Sequence, residues 1–169
     1  MKKIFMAFIV AFVTLFSACS IKSKEEYYNY SESNISGGDS VTIEITCSSV
    51  LDNMNKLDSG LEDYIPDDGI ILEKTEYQIK ENDTVYSVLS RAVRENQIQI
   101  EVQGSDENAL STVYVEGINY LYEFSCGSES GWIYKVNDEY AEKGCDSFNL
   151  KDGDEIQWIY ICSQEDFNG

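Results

Sequence analysis

The sequence predicts an α+β domain: a mixed sheet of about five strands crossed by one helix. Three observations predict it. Several segments alternate apolar and polar residues at period two, one segment repeats its apolar residues at helical spacing, and most of the strand-like segments follow that helix in a run.

Val41, Ile43, Ile45 and Cys47 alternate with Thr42, Glu44 and Thr46, the pattern of a strand with one buried face. Residues 48–69 shift to Asp, Asn and Ser with scattered Leu and end in Pro66-Asp67-Asp68-Gly69. They are expected to form a long inserted loop, with a helical turn through Leu51, Met54 and Leu57. Thr75, Tyr77 and Ile79 mark a second strand. Asn82-Asp83-Thr84 then supplies the side-chain oxygens of a helix N-cap, and Val85, Val88, Leu89, Ala92 and Val93 fall on one helical face that would cover the sheet. Further strands are expected at Ile98, Ile100 and Val102, between Val113 and Phe124, and at Trp132, Tyr134 and Val136, the last closed by an Asn137-Asp138 hairpin turn. Asp152-Gly153 signals another turn. The segment Ile156 to Ile161 is apolar on both faces, as expected of a central strand covered on both sides.

The chain begins as an exported protein would. Lys2 and Lys3 precede an apolar run, Ile4 to Phe16, that is too short to cross a bilayer, which takes ~20 residues. It ends in Phe16-Ser17-Ala18-Cys19, which resembles a bacterial lipobox, so residues 1–18 are expected to be a lipoprotein signal peptide and Cys19 the lipidated N-terminus. Residues 19–40 are rich in Ser, Glu and Asn, lack apolar periodicity and read as a flexible tether, leaving 41–169 as a single folded domain. The expected location is extracytoplasmic, on the bacterial surface, with the membrane met only through the anchor.

Composition excludes several functions. Twelve Lys and Arg stand against 31 Asp and Glu, a net charge of -19, and such a surface repels phosphate backbones, so no nucleic-acid partner is expected. The chain has no His, which removes imidazole bases and His metal sites. Carboxylate pairs will occur by chance among so many acids, and Asp52, Asp58, Asp63, Asp67 and Asp68 do not follow the spacing of a dedicated Ca²⁺ loop. The expectation is a protein that is not an enzyme and holds no metal or cofactor.

Cys47, Cys126, Cys145 and Cys162 are an even set in an exported chain, for which three pairings exist. If the first and last strands lie side by side and parallel, Cys47 and Cys162 reach the same sheet edge. Cys126 and Cys145 bracket the Trp132 strand. The expected disulfides are therefore Cys47 with Cys162 and Cys126 with Cys145.

The region Tyr120 to Gly127, then Ser130 to Asn137, Gly144-Cys145 and Leu150 to Asp154, resembles the transcobalamin-like C-terminal domain family found in bacterial surface lipoproteins. Its most specific parts are Gly-Trp-x-Tyr-x-Val-Asn at Gly131 to Asn137 and Leu-x-Asp-Gly-Asp at Leu150 to Asp154. The resemblance implies a β-grasp fold with the first and last strands parallel at the sheet centre. In vertebrate cobalamin carriers of this kind the domain closes over one face of a corrinoid, and a helical domain that this chain lacks supplies the other.

Independently of that resemblance, Gly127, Ser128, Ser130 and Gly131 make a small-residue loop beside Trp132, Tyr134 and Tyr140. Flat apolar faces next to backbone N–H groups and hydroxyls suit a planar or amphipathic small molecule. The candidate ligand-binding residues are these seven and Asn137. Trp158, on the central strand, is expected in the core. The functional expectation is a lipid-anchored module that binds a small molecule, a corrinoid or another vitamin-like compound, and presents it to an uptake transporter. The alternative is a surface domain that contacts a protein or glycan through a sheet edge or the acidic loop 48–69.

Overall fold

The computed structural model describes residues 38–106 and 111–168. The expected signal peptide, Cys19 and most of the tether lie outside the described residues. In chain order the elements are β1 (Ser40–Thr46), 3₁₀ turns at Ser48–Lys56 and Glu62–Tyr64, β2 (Ile70–Gln78), α1 (Val85–Glu95), β3 (Ile100–Gln103), β4 (Tyr114–Ile118), β5 (Leu121–Tyr122), β6 (Gly131–Val136), β7 (Glu139–Tyr140), β8 (Glu155–Ile161) and a closing 3₁₀ turn, Gln164–Asn168.

Five strands form one mixed sheet in the order β2-β1-β8-β6-β7. β1 and β8 are parallel neighbours, Thr42 opposite Glu155 and Thr46 opposite Ile159, as the resemblance implied. β3, β4 and β5 form a second, three-stranded sheet that the sequence reading did not foresee. Period-two alternation turns Val41, Ile43 and Ile45 to the same side of the large sheet as Ile156, Trp158, Trp132 and Tyr134, and all are buried there. The opposite side is less covered than expected. Ile133 and Ile159 pair across the strands but stay half-buried among Thr42, Glu44 and Gln157, so β8 is fully enclosed on one face and covered on the other only at its end, where Ile161 is buried.

α1 forms where its cap and apolar stripe predict. Thr84 accepts from the Ser87 backbone N–H (3.2 Å) while the Ser87 hydroxyl accepts from the Thr84 N–H (2.9 Å), a reciprocal capping box. Val85, Val88, Leu89, Ala92 and Val93 are all buried in the core shared with the large sheet. Two N–H groups at the helix start, of Val85 and Tyr86, donate to the Phe148 and Cys145 carbonyls, which ties the 145–148 segment to the helix. In the 48–69 insertion, Val50 is the fully buried residue while Leu51 and Met54 are exposed. Asn53 leaves helical geometry (φ -125°, ψ 21°), after the turn in which the Val50 N–H donates to the Cys47 carbonyl has set the phase. The Asn137-Asp138 turn has φ of 54° and 65°, the two left-handed residues of a type I′ hairpin.

All four described cysteines are buried free thiols, in place of the two expected disulfides. Cys126 lies against Cys162, and Cys47 is within electrostatic reach of Cys162. Cys145 is elsewhere, its Sγ 3.5 Å from the Val113 carbonyl. A Cys126–Cys145 link fails because β6 is an extended arm between them, and the return segment folds back only as far as Tyr134, whose hydroxyl donates to the Lys143 carbonyl. Burial first, followed by the charge of Cys162 for Cys47, the hydrogen bond with Cys162 for Cys126 and the charge of Asp146 for Cys145, pushes Cys47 and Cys126 up to about 12 and Cys145 to about 11.

Thr84→Ala should cost about 1 kcal/mol in urea denaturation, the usual loss for a helix N-cap. In the unfolded chain the thiols titrate near their ordinary 9.0, below their folded values, so the unfolded state releases protons first as pH rises. The reduced protein should therefore hold its stability below pH 9 and lose it progressively toward pH 12, read as a falling urea midpoint. Native alkylation at pH 8 should be slow and become complete on unfolding.

Candidate functional site

Where the three-stranded sheet meets the large sheet, a cleft of about 380 Å³ opens. β4 contributes Tyr114 and Val115, β6 contributes Trp132 and Tyr134, and β8 contributes Trp158, with the segments 112–113 and 141–145 completing the wall. Register explains the aromatic floor: Tyr134 is directly opposite Trp158, and their rings lie 5.2 Å apart at 32°. Trp132 is opposite Tyr160 and meets it edge-on at 5.2 Å.

All of these rings but Trp158 are held by their polar tips. Trp132 is 8% exposed, and its indole N–H donates to the Leu121 carbonyl at 2.8 Å. The Tyr134 hydroxyl donates to the Lys143 carbonyl at 2.6 Å, and burial, followed by the charges of Cys145 and Asp146, raises its pKa. Trp158 is 3% exposed; its indole N–H is buried with no acceptor among the described residues. Leaving such a donor unpaired typically costs ~1–3 kcal/mol.

Asp146 accepts from Thr112 Oγ1 and from the Val113 N–H (3.2 Å), fixing the 112–113 segment to the 141–145 loop. Burial alone would raise its pKa, but the hydrogen bonds from Thr112, Val113 and Ser147 prevail and hold it below the usual carboxylate value. Gly144 makes that closure possible. A Cβ there would collide with Thr112 Oγ1.

The predicted site residues divide. Trp132 and Tyr134 line the cleft; the others do not. Gly127, Ser128 and Ser130 lie in a tight turn near Cys126 whose polar groups are largely committed internally, and Gly131 opens β6 opposite Ile161. Ser130 is buried, donates to the Gly127 carbonyl (2.8 Å) and accepts from the Cys126 N–H (3.0 Å), whereas Ser128 is exposed. Asn137 sits at the far end of β6 and joins the hairpin to Asp154 and Glu155. The Tyr140 ring packs under the Lys135 ammonium, 4.2 Å from its centroid. Sequence reasoning missed Tyr114, Val115 and the part of Trp158 in the wall. The period-two phase of Ile156 to Ile161 put Trp158 on an inner face, but only strand order places Tyr134 beside it.

Residues 82–161 match the model of a domain of unknown function, DUF4430. No curated protein matches the sequence. Among solved structures, haptocorrin in complex with Cbi is similar at 13% identity and a TM-score of 0.47, over 76% of this chain and 27% of that one. A candidate metal-binding protein from Ruminococcus gnavus is similar at 11% identity and a TM-score of 0.40, over 72% of this chain and 95% of that one. The chain thus spans about a quarter of the haptocorrin chain's length. Among the described residues, no group of three or more His, Cys, Asp or Glu is placed to hold a metal ion.

Gly144→Ala should destabilise the domain by about 1–3 kcal/mol, the range for overpacking a closed contact. Chemical denaturation would register the loss. An unchanged midpoint would mean that the Thr112 contact gives way freely.

Proposed function

We propose that this chain is a non-enzymatic module that captures a small molecule in the cleft between its two sheets. The single observation that supports the reading is the cleft: about 380 Å³, walled by two indoles and two phenols, of which Trp132, Tyr134 and Tyr114 are held by their polar tips. Concave, aromatic-lined sites with a few placed polar groups are the usual form of small-molecule sites, and this volume lies near their lower end. A compact ligand fits, or one projecting part of a larger one. The motif resemblance at Gly131 to Asn137 brings corrinoids and other vitamin-like compounds into the candidate set. The lipobox-like Cys19 makes the working picture a module anchored outside the cell that hands its ligand to an uptake transporter.

One observation favours a second reading, a surface domain that contacts a protein or glycan. Tyr64, in the 48–69 insertion, stacks with Tyr120 at 4.5 Å, and Phe124 is 59% exposed at a left-handed φ of 67°. A bulky side chain held out in that conformation is costly unless the surrounding fold requires it or a partner uses it.

Calorimetric titration with a panel of cobalamin and other vitamins separates the two. Capture predicts saturable one-to-one binding by at least one compound, abolished by Ala141→Phe, which fills the cleft from a half-buried wall position. Silence across the panel, or binding indifferent to Ala141→Phe, would refute capture in the cleft.

A further inference from the structure

The charge around the cleft narrows the kind of molecule it can hold. Its walls are mainly aromatic, with Trp132, Tyr134, Trp158 and Tyr114 all contributing. Two carboxylates are bonded directly to wall residues: Asp146 through Thr112 and the Val113 N–H, and Glu123 through the Tyr114 hydroxyl at 2.5 Å. Neither is ion-paired among the described residues. The exposed rim offers one charge of each sign, Glu142 and Lys143, which roughly cancel. With Glu116 also acting on Tyr114, the surroundings are thus negative by at least two charges, within a chain whose net charge is -19.

Aromatic rings carry negative faces and attract cations, most strongly where water is excluded. Carboxylates behind the same walls act in the same direction, because interactions at short range in a protein are screened less than in bulk water. A primary ammonium would forfeit strong hydration, and the one carboxylate lining the cleft, Glu142, stands on the exposed rim in water rather than among the rings. A quaternary ammonium is weakly hydrated and needs no hydrogen bond. An anionic ligand meets repulsion from Asp146, Glu123 and Glu142, opposed among the lining residues only by Lys143.

We propose that the cleft takes a compact organic cation of the quaternary-ammonium class, held by cation–π contact with its aromatic wall and by the field of Asp146 and Glu123. The proposal rests on the cleft being the binding site, and the test separates the two claims.

The probes are choline and its neutral isostere 3,3-dimethylbutan-1-ol, titrated calorimetrically into the full-length protein. Choline should bind about tenfold tighter or more, the equivalent of one desolvated cation–π contact. Its affinity should fall with added salt and weaken severalfold in Glu123→Gln, which keeps an acceptor for Tyr114 while removing the charge. The isostere should respond to neither change, and Ala141→Phe should abolish choline binding. Equal affinity for the two probes would overturn the cation and leave the cleft reading intact. Choline binding that survives Ala141→Phe would place the cation elsewhere and overturn the proposal. Should neither probe bind, the proposal falls, and the vitamin panel decides whether capture in the cleft falls with it.

Discussion

Two side-chain hydrogen bonds join the small sheet to the large one. The Trp132 indole donates to the Leu121 carbonyl, and the Tyr160 hydroxyl donates to the Tyr122 carbonyl at 2.7 Å. Both acceptors belong to β5, a two-residue strand with little pairing of its own. Its carbonyls are oriented by the close approach of β4, which Gly117 permits because a Cβ there would press into the Tyr122 ring. The aromatic rings thus act as struts with an apolar body in the core and a polar tip on another sheet's backbone. The cleft is the space that this strutting leaves open.

The opposite wall is secured differently. Helix α1 hands two of its unpaired N-terminal N–H groups to the Phe148 and Cys145 carbonyls, and Asp146 ties the same segment to Thr112 and Val113. A helix start needs acceptors, and a loop with unpaired carbonyls needs donors. One contact satisfies both. The cleft therefore has one wall built on strand register and another built on helix-end accounting, so its shape is set by rigid elements rather than by a free loop. This contrasts with the small-residue turn at Gly127 to Ser130, where the Ser130 hydroxyl and the turn's own N–H groups are largely paired with one another.

The parts of the fold that proved legible are those decided within a few residues. Thr84 with Ser87 forms a cap because the two meet within one turn, and the five apolar residues that follow share a face whatever lies opposite. Asn137 and Asp138 tolerate the positive φ that a tight hairpin requires. Legibility failed where phase or pairing was set outside the segment itself. In the 48–69 insertion Val50 is the buried residue in place of Leu51 and Met54, a phase set by the turn that opens at Cys47, where the Val50 N–H donates to the Cys47 carbonyl. The short strands of the second sheet carry too few alternations to announce themselves. Strand ends and bracketing positions do not say which thiols meet: Cys126 lies against Cys162, while the return segment leaves Cys145 at the Val113 carbonyl.

The sequence by itself determined the periods, the caps and turns, and a strongly negative charge, because each depends on residue type and close spacing alone. Only the tertiary structure decided that Trp132 and Trp158 would line one cleft with Tyr114, that Ser130 would be buried and occupied, and that two carboxylates would stand behind the aromatic wall. The physical reason is distance along the chain. Residues from 112 to 158 become neighbours only through strand order and the joining of two sheets, and no local preference encodes that.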